Sequence, residues 1–213
     1  MGQLKILILV FSLSLINVFN NLIWAQEWTV DSAQWIEFQT SDGILLDLRY
    51  ATSDNFTGHL IYDCGRCFLR PDAASALKAI SKELKLKGYD LKLFDCYRPL
   101  AVQWELWEEV PDPNYVADPR KGSMHNRGQA IDVTLVNRKT GKELNMGTDF
   151  DFFGPKAYHT STPELPDEIQ ENRRILKETM IKYGFYPIRT EWWHYSFRKK
   201  TWPIFENKWE CID

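Results

Sequence analysis

Two short segments hold most of the residues that could do chemistry. In Ser123-Met124-His125-Asn126-Arg127-Gly128-Gln129-Ala130-Ile131-Asp132 an imidazole and a carboxylate flank a glycine, and in Glu191-Trp192-Trp193-His194-Tyr195 a carboxylate precedes an imidazole by three positions. Two imidazoles and one carboxylate suit a catalytic zinc, which takes three protein ligands and leaves a fourth position for water. The ion keeps residual positive charge, which lowers the pKa of that water, and a second carboxylate nearby can take its proton. On this reading His125, Asp132 and His194 bind one Zn2+ per chain and Glu191 is the general base.

Neither spacing suits an uninterrupted strand, where odd separations put side chains on opposite faces. His125 and Asp132 converge only if the chain turns between them, and Gly128 permits such a turn. The same argument predicts a bulge or sharp twist at Trp192-Trp193. Taken alone, His125 reads equally well as a loop histidine and Asp132 as a charge on a solvent-facing strand. Asp132, however, lies among Ala130, Ile131, Val133 and Leu135, where a partly buried carboxylate needs a partner such as a metal. Arg98, between Tyr97 and Pro99, adds a third element. Amide hydrolysis develops an oxyanion that a fixed guanidinium stabilises, although an isolated arginine more often forms a surface ion pair.

The elements that must position these groups are readable from periodicity and punctuation. ILLDLRY (44–50) alternates as an early strand and is followed by a polar, turn-rich stretch. Ala73, Ala74, Leu77, Ile80 and Leu84 recur at helical spacing from Pro71 to Lys87, with Gly88 as a cap. A strand over 89–94 runs into Asp95-Cys96-Tyr97-Arg98-Pro99, and a helix from Pro99 to about Glu109 follows, with Trp104 and Trp107 read as core. Residues 111–122 read as a loop, 129–136 as a strand, 166–183 as a helix facing inward through Ile169, Leu176, Met180 and Tyr183, and 190–197 as an aromatic strand. His59 and His159 sit in polar loops and read as surface residues. Helices and strands mix without regular βα alternation and without a glycine-rich phosphate loop, so the class is α+β, a single domain.

Residues 1–25 carry one Lys, no acid and a long apolar run ending in Ala25, the pattern of a secretory signal peptide. A retained anchor is the competing reading, but Ser12, Ser14, Asn17, Asn20 and Asn21 interrupt the run. Cleavage there leaves a domain over 26–213 with no stable membrane anchor, exported to the periplasm or secreted. The net charge of −3 becomes −4 on loss of Lys5, without a basic block, which argues against nucleic acid as a partner. Cys64, Cys67, Cys96 and Cys211 then meet an oxidising compartment. Disulfides are favoured over a metal or redox role, with three pairings possible.

Together these segments resemble the D-alanyl-D-alanine dipeptidases, within a wider superfamily that includes D,D- and L,D-carboxypeptidases and the hedgehog signalling domain. The resemblance runs from Leu46 to Phe197 and also takes in RYATSDNFTG, FDCYRP, MGTDFDF and ENRRILKETMIKYGF. It implies a central, mostly antiparallel sheet flanked by helices with the zinc site at the sheet. It implies too that His125, Asp132 and His194 bind zinc, Glu191 is the base and Arg98 stabilises the transition state. Tyr50, Asp95, Tyr115, Ser123 and Asp151 are implied to line a pocket for a small dipeptide from cell-wall peptides, a carboxylate holding its ammonium and hydroxyls its carboxylate. Two alternatives stand beside this reading. One is a D,D- or L,D-carboxypeptidase acting on longer peptidoglycan stems, which an open groove beyond Asp151 would favour. The other is a non-catalytic, zinc-stabilised binding module, which would need neither Glu191 nor Arg98.

Overall fold

The computed structural model describes residues 34–160 and 164–211, so the expected signal segment at 1–25 lies outside the described residues. Strand β1 (Ile36–Phe38) pairs antiparallel with β3 (Cys67–Leu69) in a two-stranded sheet. The main sheet has the order β2-β4-β5-β7-β6, from β2 (Leu45–Leu46), β4 (Tyr89–Asp95), β5 (Ala130–Asn137), β6 (Phe185–Pro187) and β7 (His194–Phe197). Among the described residues only the β2–β4 pair is parallel. Helices α1 (Pro71–Leu86), α2 (Leu100–Glu109) and α3 (Asp167–Lys182) complete the α+β domain.

Alternation along the strands divides the sheet into a packed face and a chemical face. Ile131, Val133 and Leu135 of β5, with Leu91 and Leu93 of β4, belong to the core cluster that holds Leu77, Ile80 and Leu84 of α1 and Leu176 and Met180 of α3. Burying each such aliphatic side chain stabilises the fold by roughly 1.5–3 kcal/mol. Asp132 and Thr134 alternate with these residues and therefore point to the opposite face.

The early strand is shorter than its alternation predicts. β2 covers only Leu45–Leu46, and residues Arg49–Ala51 form a 3-10 turn. Asp47 still donates its backbone N–H to Leu93, but Arg49 pairs with Asp47 and Asp54, and the chain turns there and buries Tyr50. The last strand starts at His194, so Glu191 lies outside it, separated by a bend at Trp192-Trp193. Trp104 is not core. It is 42% exposed, because α2 packs through Val102, Gln103 and Leu106 on its other side.

Cys64 bonds Cys211 and Cys67 bonds Cys96, so the two halves of the CxxC segment reach different partners. The first bond anchors the extended segment after β7, where Phe205 packs against Trp35 and Tyr97, and Trp209 against Tyr62. Among the described residues no helix is long and apolar enough to cross a membrane.

Candidate metal centre and active site

The chemical face of the sheet is assembled by register. Asp132 of β5 lies directly opposite His194 of β7, and directly opposed residues share a face. A register shift between Leu93 and Asp95 on β4 brings Asp95 opposite Asp132 from the other side. His125 joins from outside the sheet. It starts a 3-10 turn, His125–Arg127, closed by Gly128 at φ 68°, where a Cβ would also run into the Trp35 ring. The break expected at Gly128 is therefore present. The break near the tryptophans is the bend at Trp192-Trp193.

His125, Asp132 and His194 are all buried and their ligand atoms converge. His125 Nε2 lies 3.0 Å from His194 Nδ1, and Asp132 Oδ1 lies 3.4 Å from the first and 3.1 Å from the second. Three donors bound to one ion at about 2.0–2.1 Å in a tetrahedron stand roughly 3.3 Å apart, close to these separations. The outer nitrogens are also occupied. His125 Nδ1 donates to the Cys96 carbonyl at 2.6 Å, and His194 Nε2 lies 3.0 Å from Ser196 Oγ. The carbonyl fixes the first ring in the tautomer whose lone pair faces the centre, and the hydroxyl accommodates the same tautomer in the second. Two lone pairs and a carboxylate oxygen aimed at one point repel unless a cation lies between them, so the donor set fits a metal ion.

Arg98 and Glu191 flank this cluster. Arg98 Nη2 stands 3.8 Å from Asp132 Oδ2, and Glu191 Oε2 stands 3.9 Å from His194 Nδ1. Arg98 is 7% exposed, so it is no surface ion pair; burial disfavours its charge more than any one neighbour favours it, but Asp95, Tyr50, Tyr62 and Asp132 together outweigh burial and raise its pKa. Burial, then the charges of Asp132 and Asp151, push the Glu191 carboxyl well above the usual carboxylate range. Asp132 moves the other way. Burial opposes its charge, yet His125 and His194 together hold it below its ordinary value.

With that geometry in place, the sequence matches the peptidase M15 family, described as D-ala-D-ala dipeptidase, over residues 37–211. The chain belongs to this family. Relatives named D-alanyl-D-alanine dipeptidase include one from Escherichia coli (strain K12), 39% identical over 168 residues, covering 78% of this chain and 86% of that one. Another, from Enterococcus faecalis (strain ATCC 700802 / V583), is 35% identical over 181 residues, covering 76% and 89%. Among solved structures the LD-carboxypeptidase LdcB matches with a TM-score of 0.41 at 24% identity, over 61% of this chain and 59% of that one.

In this member of the dipeptidase family a cavity of about 400 Å³ opens over the cluster. Tyr50, Tyr115, Ser123 and Asp151 line it, as expected from the sequence. Tyr50 donates to Asp151 Oδ1 at 3.3 Å, and Asp151 has the only positive φ of a non-glycine residue among those described, 59°. That left-handed conformation, uncommon for a side-chain-bearing residue, marks a position held by its surroundings. Tyr115 stacks on Phe153, which also lines the cavity, with ring centroids 4.8 Å apart.

Asp95 is the exception among the expected pocket residues. It is 1% exposed and does not line the cavity, because its carboxylate is fully engaged behind it. Oδ2 accepts from Arg98 Nε and Nη2, and Oδ1 accepts from the Tyr62 hydroxyl at 2.7 Å. His159 also departs from expectation. It packs edge-on to Tyr195, hydrogen bonds the backbone of Glu191 and is partly buried, with its pKa pushed down to about 3 by burial and by Lys177 and Arg173. Sequence reasoning passed over Tyr62, Gln103 and Ser196, whose residue types carry no signal until their partners are known. Trp192 had a signal in its place beside Glu191: its indole donates to Thr148 Oγ1 and ties down the loop that carries Asp151.

Proposed function

We propose that this protein hydrolyses D-alanyl-D-alanine to two D-alanines, with Zn2+ held by His125, Asp132 and His194. The observation that carries the proposal is the closed, buried triangle of those three side chains with Glu191 on one flank and Arg98 on the other. The bound ion would supply a Lewis acid for the scissile carbonyl and lower the pKa of water at its open position. Glu191 takes a proton from the attacking water. It passes that proton to the leaving amine as the C–N bond breaks. Arg98 donates to the oxygen that becomes negative in the tetrahedral state. Asp151, oriented by Tyr50, pairs with the free ammonium group, and Ser123 and Tyr115 face the substrate's carboxylate.

A second reading has one observation in its favour. A larger polar cavity of about 850 Å³ lies beyond Asp151, sharing Phe56 and Asp151 with the first and floored by Thr134 and Trp192. It offers room for the rest of a longer stem peptide, as a carboxypeptidase would need. Release of D-alanine from D-Ala-D-Ala, L-Ala-D-Ala and a muramyl pentapeptide, each with and without a chelator, separates the two. Chelator-sensitive cleavage of the free dipeptide far above the pentapeptide supports the first reading, and the reverse order overturns it.

We further propose that the protein is exported after loss of residues 1–25 and works on wall-derived peptides in turnover or scavenging. The two disulfides support this, since such bonds persist in oxidising compartments.

A further inference from the structure

A buried amide joins Arg98 to the loop on the outer side of the pocket. Gln103, on α2, is fully buried and does not itself line the cavity. Its Oε1 accepts from Arg98 Nη1 at 2.9 Å, and its Nε2 donates to the carbonyl of Ala117 at 2.8 Å. A guanidinium only donates and a carbonyl only accepts, so the amide has one possible orientation.

The contacts on the far edge of Arg98 explain why this matters. Nε and Nη2 both bond to one oxygen, Oδ2 of Asp95, while the other oxygen is taken by Tyr62. Two bonds to one atom form a pivot about which the guanidinium plane can swing. Gln103 Oε1 is a second fixed point on the opposite nitrogen, and two points set the angle. Ala117 follows Tyr115 and Val116 in the loop that forms the outer wall.

We propose that Gln103 is a positioning residue for the hydrolysis: it sets the plane of Arg98 against the reacting carbonyl and locks that setting to the loop facing the substrate's carboxylate. This rests on the reading of Arg98 and of the pocket given above. Two variants separate the halves of the role. Gln103→Met removes both bonds, whereas Gln103→Glu keeps an acceptor for Arg98 and loses the donor to Ala117.

In zinc-loaded protein, Gln103→Met is expected to lower kcat on D-Ala-D-Ala by about 10- to 100-fold, the size of losing one hydrogen bond to a charged group. It should weaken binding of a phosphinate analogue of the dipeptide to a similar degree, with zinc per chain unchanged. Gln103→Glu should hold kcat within about 3-fold and raise KM by about 10-fold, since only the wall is released. A Met variant that folds, binds zinc and keeps normal kcat overturns the inference, as does a Glu variant that loses kcat as severely as the Met variant. If the Met variant does not fold, the Glu variant decides by itself: a raised KM at retained kcat supports the role, and any other split overturns it. An inactive wild-type protein would overturn the dipeptidase reading and this inference with it, whereas an active wild type with unaffected variants overturns the inference alone.

Discussion

The two sides of the pocket are built by different means. On the metal side Asp132 and His194 face each other across paired strands and Asp95 stands behind them, all placed by backbone register. On the outer side Tyr50, Tyr115 and Asp151 come from a 3-10 turn and two loops, held by side-chain contacts such as Tyr50 to Asp151 and Tyr115 to Phe153. Register is cooperative and resists single substitutions, whereas a side-chain contact can be lost alone. The metal side should therefore answer mutation with loss of chemistry, and the outer side with loss of substrate affinity.

The severest test of that contrast is at the flanks of the cluster. Glu191→Ala removes the proposed base and leaves His125, Asp132 and His194, so kcat should fall by about 10²- to 10⁴-fold while zinc content stays at one per chain. Near-normal turnover would show the base to be misassigned. Arg98→Lys keeps a charge but loses the fork that Asp95 and Gln103 hold, and kcat should drop by about 10²-fold with little change in KM. On the outer wall Asp151→Asn should act mainly on KM, raising it by about 10-fold or more as the ammonium partner loses its charge. A pure kcat effect there would erase the distinction between the two sides.

The smallest effect concerns acid stability near Glu191. His159 stays neutral in the fold, with its pKa near 3 against an ordinary 6.5, so the unfolded chain binds more protons between those values. Stability is thus lost as pH falls from about 6.5 towards 3. His159→Gln should flatten that part of the urea-midpoint profile, and a variant with the wild-type slope would show that another group is responsible.

The same contrast explains what the sequence disclosed. α1, β4, β5 and α3 follow hydrophobic periodicity, which burial enforces, and the odd spacings of His125–Asp132 and Glu191–His194 announced the turn at Gly128 and the bend at the tryptophans. The 44–50 strand failed because alternation is silent about the ion pairs of Arg49, which go with an early turn. Trp104 was assigned to the core on residue type alone, yet the apolar side of α2 is defined by what it meets. Asp95 and Gln103 show the further limit: a buried polar side chain takes its role from a partner distant in space, and a linear pattern does not name that partner.

The segment after β7 has a consequence for the order of events during synthesis. Asn126, in the turn that carries His125, accepts a hydrogen bond from the backbone of Phe205, and the Tyr97 hydroxyl donates to the carbonyls of Phe205 and Asn207, with Cys211 then locked to Cys64. These clasping residues leave the ribosome after His125, Asp132 and His194. A growing chain therefore carries His125, Asp132 and His194 for some time before the turn under His125 can be held, and a nonsense mutation beyond Phe197 would remove no ligand yet leave the metal site without its brace.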